Sequence, residues 1–527
     1  MPVLVGGAWR QAASIGSFRA MNPATGAFLP DEYPVSRIED LEAALRSAAR
    51  VIDEFPALEP DRLAGYLEGF AAALGARRDE AVALAHLETA LPEEPRLRSI
   101  EFPRMTDQLR QAAAACRKRD WCLATIDTQH DIRSMYGPLG GPVIVFGPNN
   151  FPFAYNSVAG GDFAAAIAAG NPVIAKAHPG HPGTTRVLAE AALEALRASG
   201  LPRALIQLVY QCEPEDGLKL AAHPLTGALA FTGSRASGLA LKEAAERAGK
   251  PVYLEMSSVN PVLLLPGALE ERSERIAAEL FGSCTSGAGQ FCTKPGLVVL
   301  TRGARSEGFC DSVRRLFEGD PEAFLLDQGT LRKLAAAVTA LERAGALLLA
   351  GGHALSGPGF RFENTLFRIT GRQFLRDPDA FQTEVFGSLA VLVVAEDPEE
   401  LAAIVRAFEG NLTGSIYSGP GDADRELHDL IEPILRRKVG RLLDDKMPTG
   451  VAVSPAMNHG GPFPATGHPG FTAVGFPASM RRFAALRCYD NVRPDRLPPE
   501  LRDENPTGAM WRYIDREYTK GDVLAHR

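Results

Sequence analysis

Cysteine is scarce in this chain of 527 residues, with 7 in all. They stand at positions 116, 122, 212, 284, 292, 310 and 488, and no two have CxxC spacing. That excludes the paired-cysteine pattern of zinc ribbons and thioredoxin-like redox motifs. A reducing, cytoplasmic setting is expected. No apolar run reaches the roughly 18 residues of a membrane span, so no membrane partner is expected. The opening residues 1–7 lack a charged region followed by a long apolar core, so no secretory signal is read there. Lys plus Arg number 56 against 64 for Asp plus Glu, a net charge of -8. With neither a basic excess nor a basic stripe, nucleic-acid binding is not expected. Internal repeats and low-complexity linkers are missing too.

What is present is globular material. Hydrophobic residues at 46% and charged residues at 23%, with 26 Phe and 10 Tyr, exclude a disordered chain. The length predicts about two to four structural units. Gly at 51 and Pro at 39 predict many turns and close backbone approaches.

Periodicity orders the chain. Leu41, Ala44, Leu45, Ala48 and Val51 predict a helix over 40–55, and helical spacing continues over 61–90 and 103–118. From Pro142 short apolar runs at 142–147, 172–176, 204–209, 227–231 and 252–255 alternate with helical segments. That alternation predicts a parallel sheet covered on both faces. A second series, with strands at 261–265, 296–300 and 388–394, predicts a second α/β unit. Ligands of such sheets bind beyond the carboxyl ends of the strands. Asn150, Lys176, Gly233 and Glu255 all fall there.

Four segments carry residues suited to chemistry. In Gly287-Ala288-Gly289-Gln290-Phe291-Cys292-Thr293 a cysteine sits among small neighbours that let a substrate approach and leave backbone N–H groups facing an oxyanion. A thiolate attacks electrophilic carbon well, although a buried, inert thiol is the commoner role of a cysteine. Glu255 ends an apolar strand, where it could serve as a general base or simply pair with a lysine. Phe231-Thr232-Gly233-Ser234 opens a helix ending the turn with exposed N–H groups that suit a phosphate; it is not the GxGxxG fingerprint. Pro148-Asn149-Asn150 places amides after a strand, for an oxyanion or for a turn.

Together these segments resemble the aldehyde dehydrogenase superfamily, in order, from about residue 20 to 490. Gly289–Thr293 resembles its catalytic cysteine segment, Leu254-Glu255-Met256 its general base, and Asn150-Phe151-Pro152 its oxyanion asparagine. Glu384-Val385-Phe386-Gly387 resembles the segment that holds the nicotinamide ribose, and Lys176 the lysine of the adenosine ribose. Within the superfamily, residues 159–162, 176–184, 260–269 and 459–466 resemble the bacterial 2-oxoglutarate semialdehyde dehydrogenases, a group that includes an NADP-preferring fatty aldehyde dehydrogenase.

The resemblance implies an α/β chain with a Rossmann-like cofactor domain (1–126 and 142–257), a catalytic domain (258–456), bridging or oligomerisation segments (127–141 and 457–500) and a tail (501–527). It implies that Cys292, Glu255 and Asn150 are catalytic, through a thiohemiacetal and a thioester. It implies that Pro148, Lys176, His178, Pro179, Gly233, Ser234, Gly238, Glu384 and Phe386 bind the cofactor. His178 and His181 are then loop residues near the adenosine rather than metal ligands, and no metal is expected. NAD-preferring relatives often carry Glu where this chain has Pro179. Without that carboxylate a 2′-phosphate meets less repulsion, so NADP is expected ahead of NAD, with Arg235 as a further partner.

For the carboxylate of an oxo-acid aldehyde, Arg104 and Arg110 are the candidates. Phe151, Phe153 and Phe463 would instead line a pocket for an aliphatic or aromatic aldehyde, the alternative substrate. A catalytically silent relative is the alternative of another class. The expected assembly is a homodimer or homotetramer. The chain departs from the family's pattern at Asn149, at 127–133, in Asp444-Asp445-Lys446-Met447-Pro448-Thr449-Gly450 and at Gly467–Gly470.

Overall fold

The apolar run at 142–147 forms the strand Val143–Phe146, an interior strand of a seven-stranded sheet. The order is Val252–Glu255, Ala228–Thr232, Val143–Phe146, Val173–Lys176, Ile206–Val209, Val3–Val5 and Ala8–Arg10. The first five strands are parallel, as their continuous apolar sequences require of strands buried on both faces. Their ends are level: Phe146 pairs with Lys176 and Phe231, and Thr232 with Glu255. The loops carrying Asn150, Lys176, Gly233 and Glu255 therefore leave one edge of the sheet. In this computed structural model the described residues are 1–55, 58–319 and 323–523.

Ile38–Glu54 packs directly on this sheet, and the next three helices pack mainly on other helices. Ile38–Glu54 buries Leu41, Ala44, Leu45, Ala48 and Val51, the predicted stripe. The periodic stretch 61–90 is two helices, Pro60–Ala76 and Arg78–Thr89. Phe102–Lys118 buries Met105, Leu109, Ala112 and Ala113.

A second seven-stranded sheet runs Leu347–Ala350, Thr365–Thr370, Leu389–Ala395, Leu297–Thr301, Val262–Leu264, Asn411–Tyr417 and Val439–Asp444. The last six strands are parallel to one another, and the first pairs antiparallel with Thr365–Thr370. Three of these strands match the expected apolar runs. Asn411–Tyr417 escapes sequence reading because it is polar, yet every residue is buried. Tertiary hydrogen bonds from Ser258 and Thr413 to the neighbouring asparagines make that burial tolerable.

The stretch 127–141 supplies Ile132–Pro138, which pairs antiparallel with Ala484–Asp490. Thr125–Asp127 continues this sheet into Arg512–Ile514 and Glu517–Thr519, so the polar tail folds back as part of it. Arg512 is 1% exposed and donates to the carbonyls of Asp503 and Gly521. Those acceptors satisfy a buried guanidinium that sequence alone would leave on the surface. No helix among the described residues is long and apolar enough to cross a membrane.

Candidate functional site

The helix Pro266–Thr285 ends just before three left-handed residues, Gly287, Ala288 and Gly289, with φ of 57°, 55° and 69°. A Cβ on Gly289 would lie 2.2 Å from the carbonyl oxygen of Gly387, so only glycine lets these two loops touch. The turn delivers Cys292, half-buried, beyond it. Asn260 Nδ2 donates to the carbonyls of Cys292 (2.8 Å) and Lys294 (2.9 Å). Asn411 Oδ1 in turn accepts from Asn260 N–H at 3.1 Å. These two asparagines fix the backbone of the thiol. Sequence reasoning missed both; the only signal was an asparagine beside an apolar strand, which must find partners when buried. Burial first, and then Glu255, push the Cys292 thiol well above its ordinary pKa.

Glu255 ends its strand and is 1% exposed. Its Oε1 lies 3.0 Å from His459 Nε2, which lies 3.5 Å from Cys292 Sγ. Glu255 Oε2 is buried with no hydrogen-bond partner among the described residues. His459 arrives because residues 457–467 dock on the strand end: Met256 N–H donates to Ala465 O (2.8 Å) and Gly467 N–H to Leu254 O (3.1 Å). Nothing in the sequence marks this histidine beyond its place in a resembling segment. It lies 204 positions from Glu255, and only the docking joins them.

Asn150 Nδ2 donates to Gln290 O at 2.8 Å, which ties its loop to that of Cys292. Among the described residues the Cys292 backbone N–H has no acceptor. Arg96 braces both loops. It donates to Asn150 O at 3.0 Å, and its guanidinium lies 4.4 Å over the Phe151 ring and 5.3 Å over that of Phe291. Arg96 also pairs with Glu101, which is wholly buried and accepts the N–H groups of Phe153 and Ala154, each at 2.9 Å. Sequence reading named neither residue.

Arg104 donates to Tyr155 OH at 2.8 Å and lies 5.9 Å over Phe151, at the same pocket. Its charge favours the Cys292 thiolate, against the larger effect of burial. Arg110 turns back to Thr106 on its own helix (3.4 Å) and does not join this pocket. Phe151 belongs to the aromatic cluster with Tyr155, beside Phe291. Two expectations need correction. Phe153 is wholly buried with its ring edge-on to Phe102 at 5.4 Å, which makes it core rather than pocket wall. Phe463 is 62% exposed and joins none of the four hydrophobic clusters. The unusual segment 444–450 reaches this site: Gly450 N–H donates to Thr293 Oγ1 at 3.2 Å.

A second group gathers at the same sheet edge. Burial pulls the Lys176 ammonium below its ordinary pKa, and it has no hydrogen-bond acceptor among the described residues. Ser234 caps the helix Arg235–Arg247, accepting from Ser237 N–H, and Gly233 beside it is exposed. A Cβ on Gly233 would meet the Phe231 ring at 2.7 Å, and one on Gly238 would meet Met256 at 3.0 Å. This exposed helix N-terminus and the unpaired ammonium fit the phosphates and ribose of a dinucleotide. His178 and Pro179 are half-buried beside Lys176. His181 is buried and bonds Pro148 O at 2.9 Å, so it braces the loop before Asn150. Arg235 pairs with Glu409 at 2.5 Å, which corrects the expectation that it is available for a 2′-phosphate. Glu384 and Phe386 are half-buried on the segment whose Gly387 N–H donates to Gly289 O (3.3 Å). Burial pushes the Glu384 carboxyl up to about 8, against the pull of Lys294.

The arrangement offers a nucleophile, a carboxylate with an imidazole between them, two N–H donors for an oxyanion, and a dinucleotide cradle at the adjoining edge. Comparison with known proteins identifies the family. The family model described as "Aldehyde dehydrogenase family" matches residues 9–432. Alpha-ketoglutaric semialdehyde dehydrogenase 2 of Azospirillum brasilense is 37% identical over 95% of this chain and 96% of its own. Alpha-ketoglutaric semialdehyde dehydrogenase of Acinetobacter baylyi is 35% identical, covering 94% and 95%. Among solved structures, lactaldehyde dehydrogenase from Escherichia coli superposes with a TM-score of 0.80 at 21% identity, over 93% and 98% of the two chains. PnpE in complex with nicotinamide adenine dinucleotide gives a TM-score of 0.79 at 20% identity, over 95% and 99%.

Proposed function

The chain belongs to the aldehyde dehydrogenase family and is an aldehyde-oxidising enzyme, and from that premise we propose that it converts 2-oxoglutarate semialdehyde to 2-oxoglutarate, with NADP ahead of NAD. The observation that carries the reaction is the contact of His459 Nε2 with both Cys292 Sγ (3.5 Å) and Glu255 Oε1 (3.0 Å). The substrate rests on the two relatives named for this semialdehyde and on Arg104, a cation with no carboxylate partner among the described residues, at the pocket.

The resting thiol is protonated, because burial and Glu255 disfavour its anion. Its proton leaves toward His459 and Glu255 as Sγ attacks the aldehyde carbon. The oxyanion of the thiohemiacetal is held by Asn150 Nδ2–H and the Cys292 N–H. A nicotinamide dinucleotide, when bound, would supply the hydride acceptor, and loss of hydride from this adduct leaves a thioester. Lys176, Pro148, His178, Pro179, Gly233, Ser234, Gly238, Glu384 and Phe386 are the residues that would hold it. Glu255, with His459 beside it, then takes a proton from water as the water attacks the thioester, and the acid departs from Cys292. A hydrolytic base favours the free acid over transfer to a thiol carrier.

Lys176 without a nearby carboxylate supports NADP, since Pro179 brings no negative charge against a 2′-phosphate. A homo-oligomer is part of the same reading. Ala484–Asp490 ends its sheet with an unpaired edge among the described residues and exposes Leu486, a liability unless covered. The seven cysteines are free, which suits a cytoplasmic enzyme.

Initial rates of NADPH and NADH formation test the proposal, with 2-oxoglutarate semialdehyde, succinic semialdehyde, hexanal and benzaldehyde, for wild type and Cys292→Ala. The expected result is the highest kcat/KM for the oxo acid with NADP, reduced to background in the variant. A preference for hexanal or benzaldehyde would discard the substrate and keep the chemistry. Wild-type rates equal to those of Cys292→Ala on every aldehyde would discard both.

A further inference from the structure

Cys292, His459 and Glu255 form the one group of three or more potential metal ligands among the described residues, with their donor atoms all within 4.8 Å of one another. From this geometry we propose that they make a reversible Zn²⁺ site, and that Zn²⁺ bound there switches the enzyme off. The ion would be an inhibitor, outside the catalytic cycle.

The spacing matches the ion. Zn–S of about 2.3 Å and Zn–N of about 2.0–2.1 Å, at a tetrahedral angle, separate sulfur from nitrogen by about 3.5–3.6 Å. Cys292 Sγ and His459 Nε2 are 3.5 Å apart. The same arithmetic for nitrogen and a carboxylate oxygen gives about 3.3–3.4 Å. His459 Nε2 and Glu255 Oε1 are 3.0 Å apart, a few tenths of an ångström from that value. A second observation points the same way. Glu255 is 1% exposed and its Oε2 has no hydrogen-bond partner among the described residues, so a buried carboxylate oxygen stands ready for a cation. Three protein ligands leave the fourth tetrahedral position to water, the pattern of open zinc sites.

The donor set selects the ion. A thiolate and an imidazole suit Zn²⁺ and other soft cations, whereas Mg²⁺ and Ca²⁺ demand oxygen ligands. On binding, the Cys292 S–H bond breaks, the proton leaves to the buffer and Sγ donates its electron pair to the metal. Nothing is oxidised or reduced. The sulfur pair that would attack an aldehyde carbon is then engaged, and the charge of the ion makes Glu255 a weaker base. Binding stands independently of the reaction, whereas the loss of activity rests on Cys292 being the nucleophile proposed above.

Calorimetric titration of the full-length protein with Zn²⁺, in a thiol-free reductant, tests the site. One tight Zn²⁺ per chain is expected for wild type and for Cys488→Ser, which removes an exposed thiol. Affinity should fall at least about 100-fold in Cys292→Ala and about 10- to 100-fold in His459→Asn. Melting curves of each variant separate ligand loss from misfolding, and Cys292→Ala is the variant least able to disturb the fold. Co²⁺ should give a thiolate-to-metal absorption band in wild type that is absent in Cys292→Ala. Zn²⁺ should abolish NAD(P)H formation over the same concentration range, Mg²⁺ should not, and a chelator should restore the full rate. Unchanged Zn²⁺ affinity in Cys292→Ala, or no Co²⁺ thiolate band in wild type, overturns the site. Stoichiometric binding lost in Cys292→Ala with undiminished activity would support the site and overturn the role of Cys292 as nucleophile.

Discussion

His459 Nε2 bridges Cys292 Sγ and Glu255 Oε1, at 3.5 Å and 3.0 Å, in a pocket where both the histidine and the glutamate are buried. One ring nitrogen thus faces the thiol that must lose a proton and the carboxylate that must gain one. The orphaned second oxygen of Glu255 keeps acceptor capacity for the water of the second step.

Removing the carboxylate should separate the two steps. In Glu255→Gln the charge that raises the thiol pKa is gone, so the thiol ionises at lower pH. The pH midpoint of iodoacetamide alkylation of the free enzyme should move down from its wild-type position. Thioester hydrolysis should slow by about 10²–10⁴-fold, the usual worth of a general base. A burst of one NAD(P)H per site followed by a slow steady state is the expected trace. An unchanged alkylation midpoint would show that Glu255 does not govern the thiol.

Arg96 and Glu101 should act through Asn150. Glu101 is wholly buried, and Glu101→Ala leaves Arg96 without its partner and two N–H groups without their acceptor. Breaking a buried pair in this way costs about 3–5 kcal/mol, visible as a lower Tm. Arg96→Lys keeps the charge but loses the planar stacking on Phe151 and Phe291. It should lower kcat with little change in the KM for aldehyde, and Arg96→Met should lower it further. Equal rises in KM for both would instead place Arg96 in substrate binding.

Arg104→Met should discriminate between aldehydes. A charged hydrogen bond is worth about 1.5–3 kcal/mol, so kcat/KM for the oxo acid should fall about 10- to 150-fold. Hexanal, with no carboxylate, should change less than threefold by the same reasoning. A parallel loss on both substrates would mean that Arg104 serves the pocket only by holding Tyr155.

Pro179→Glu should reverse cofactor choice. A carboxylate near Lys176 repels a 2′-phosphate and accepts hydrogen bonds from ribose hydroxyls. The ratio of kcat/KM for NADP to that for NAD should drop at least about tenfold, equivalent to roughly 1.4 kcal/mol of charge repulsion. A constant ratio would remove residue 179 from cofactor selection.

Much of the fold was legible because its strands are continuous apolar runs bounded by Gly and Pro. Val143–Phe146, Val173–Lys176 and Leu389–Ala395 each coincide with such a run to within a residue or two. Asn411–Tyr417 was not legible, because its polar residues are paid into tertiary hydrogen bonds that local patterning cannot show. The same holds for Arg512, a charged residue in a polar stretch that is buried against carbonyls.

By itself the sequence determined the alternation of strands and helices, the glycines that let the Cys292 loop turn, and the strand ends from which Asn150, Lys176, Gly233 and Glu255 emerge. Those are consequences of local sterics and apolar periodicity, which a few consecutive residues express. The tertiary structure alone decided that His459 reaches Glu255, that Arg96 lies over Phe151 and Phe291, and that Phe153 is core while Phe151 belongs to the aromatic cluster. Each of these depends on side chains far apart in the chain meeting at a shared surface. Such meetings are set by the docking of whole segments, as when Met256 N–H finds Ala465 O and carries His459 to the thiol.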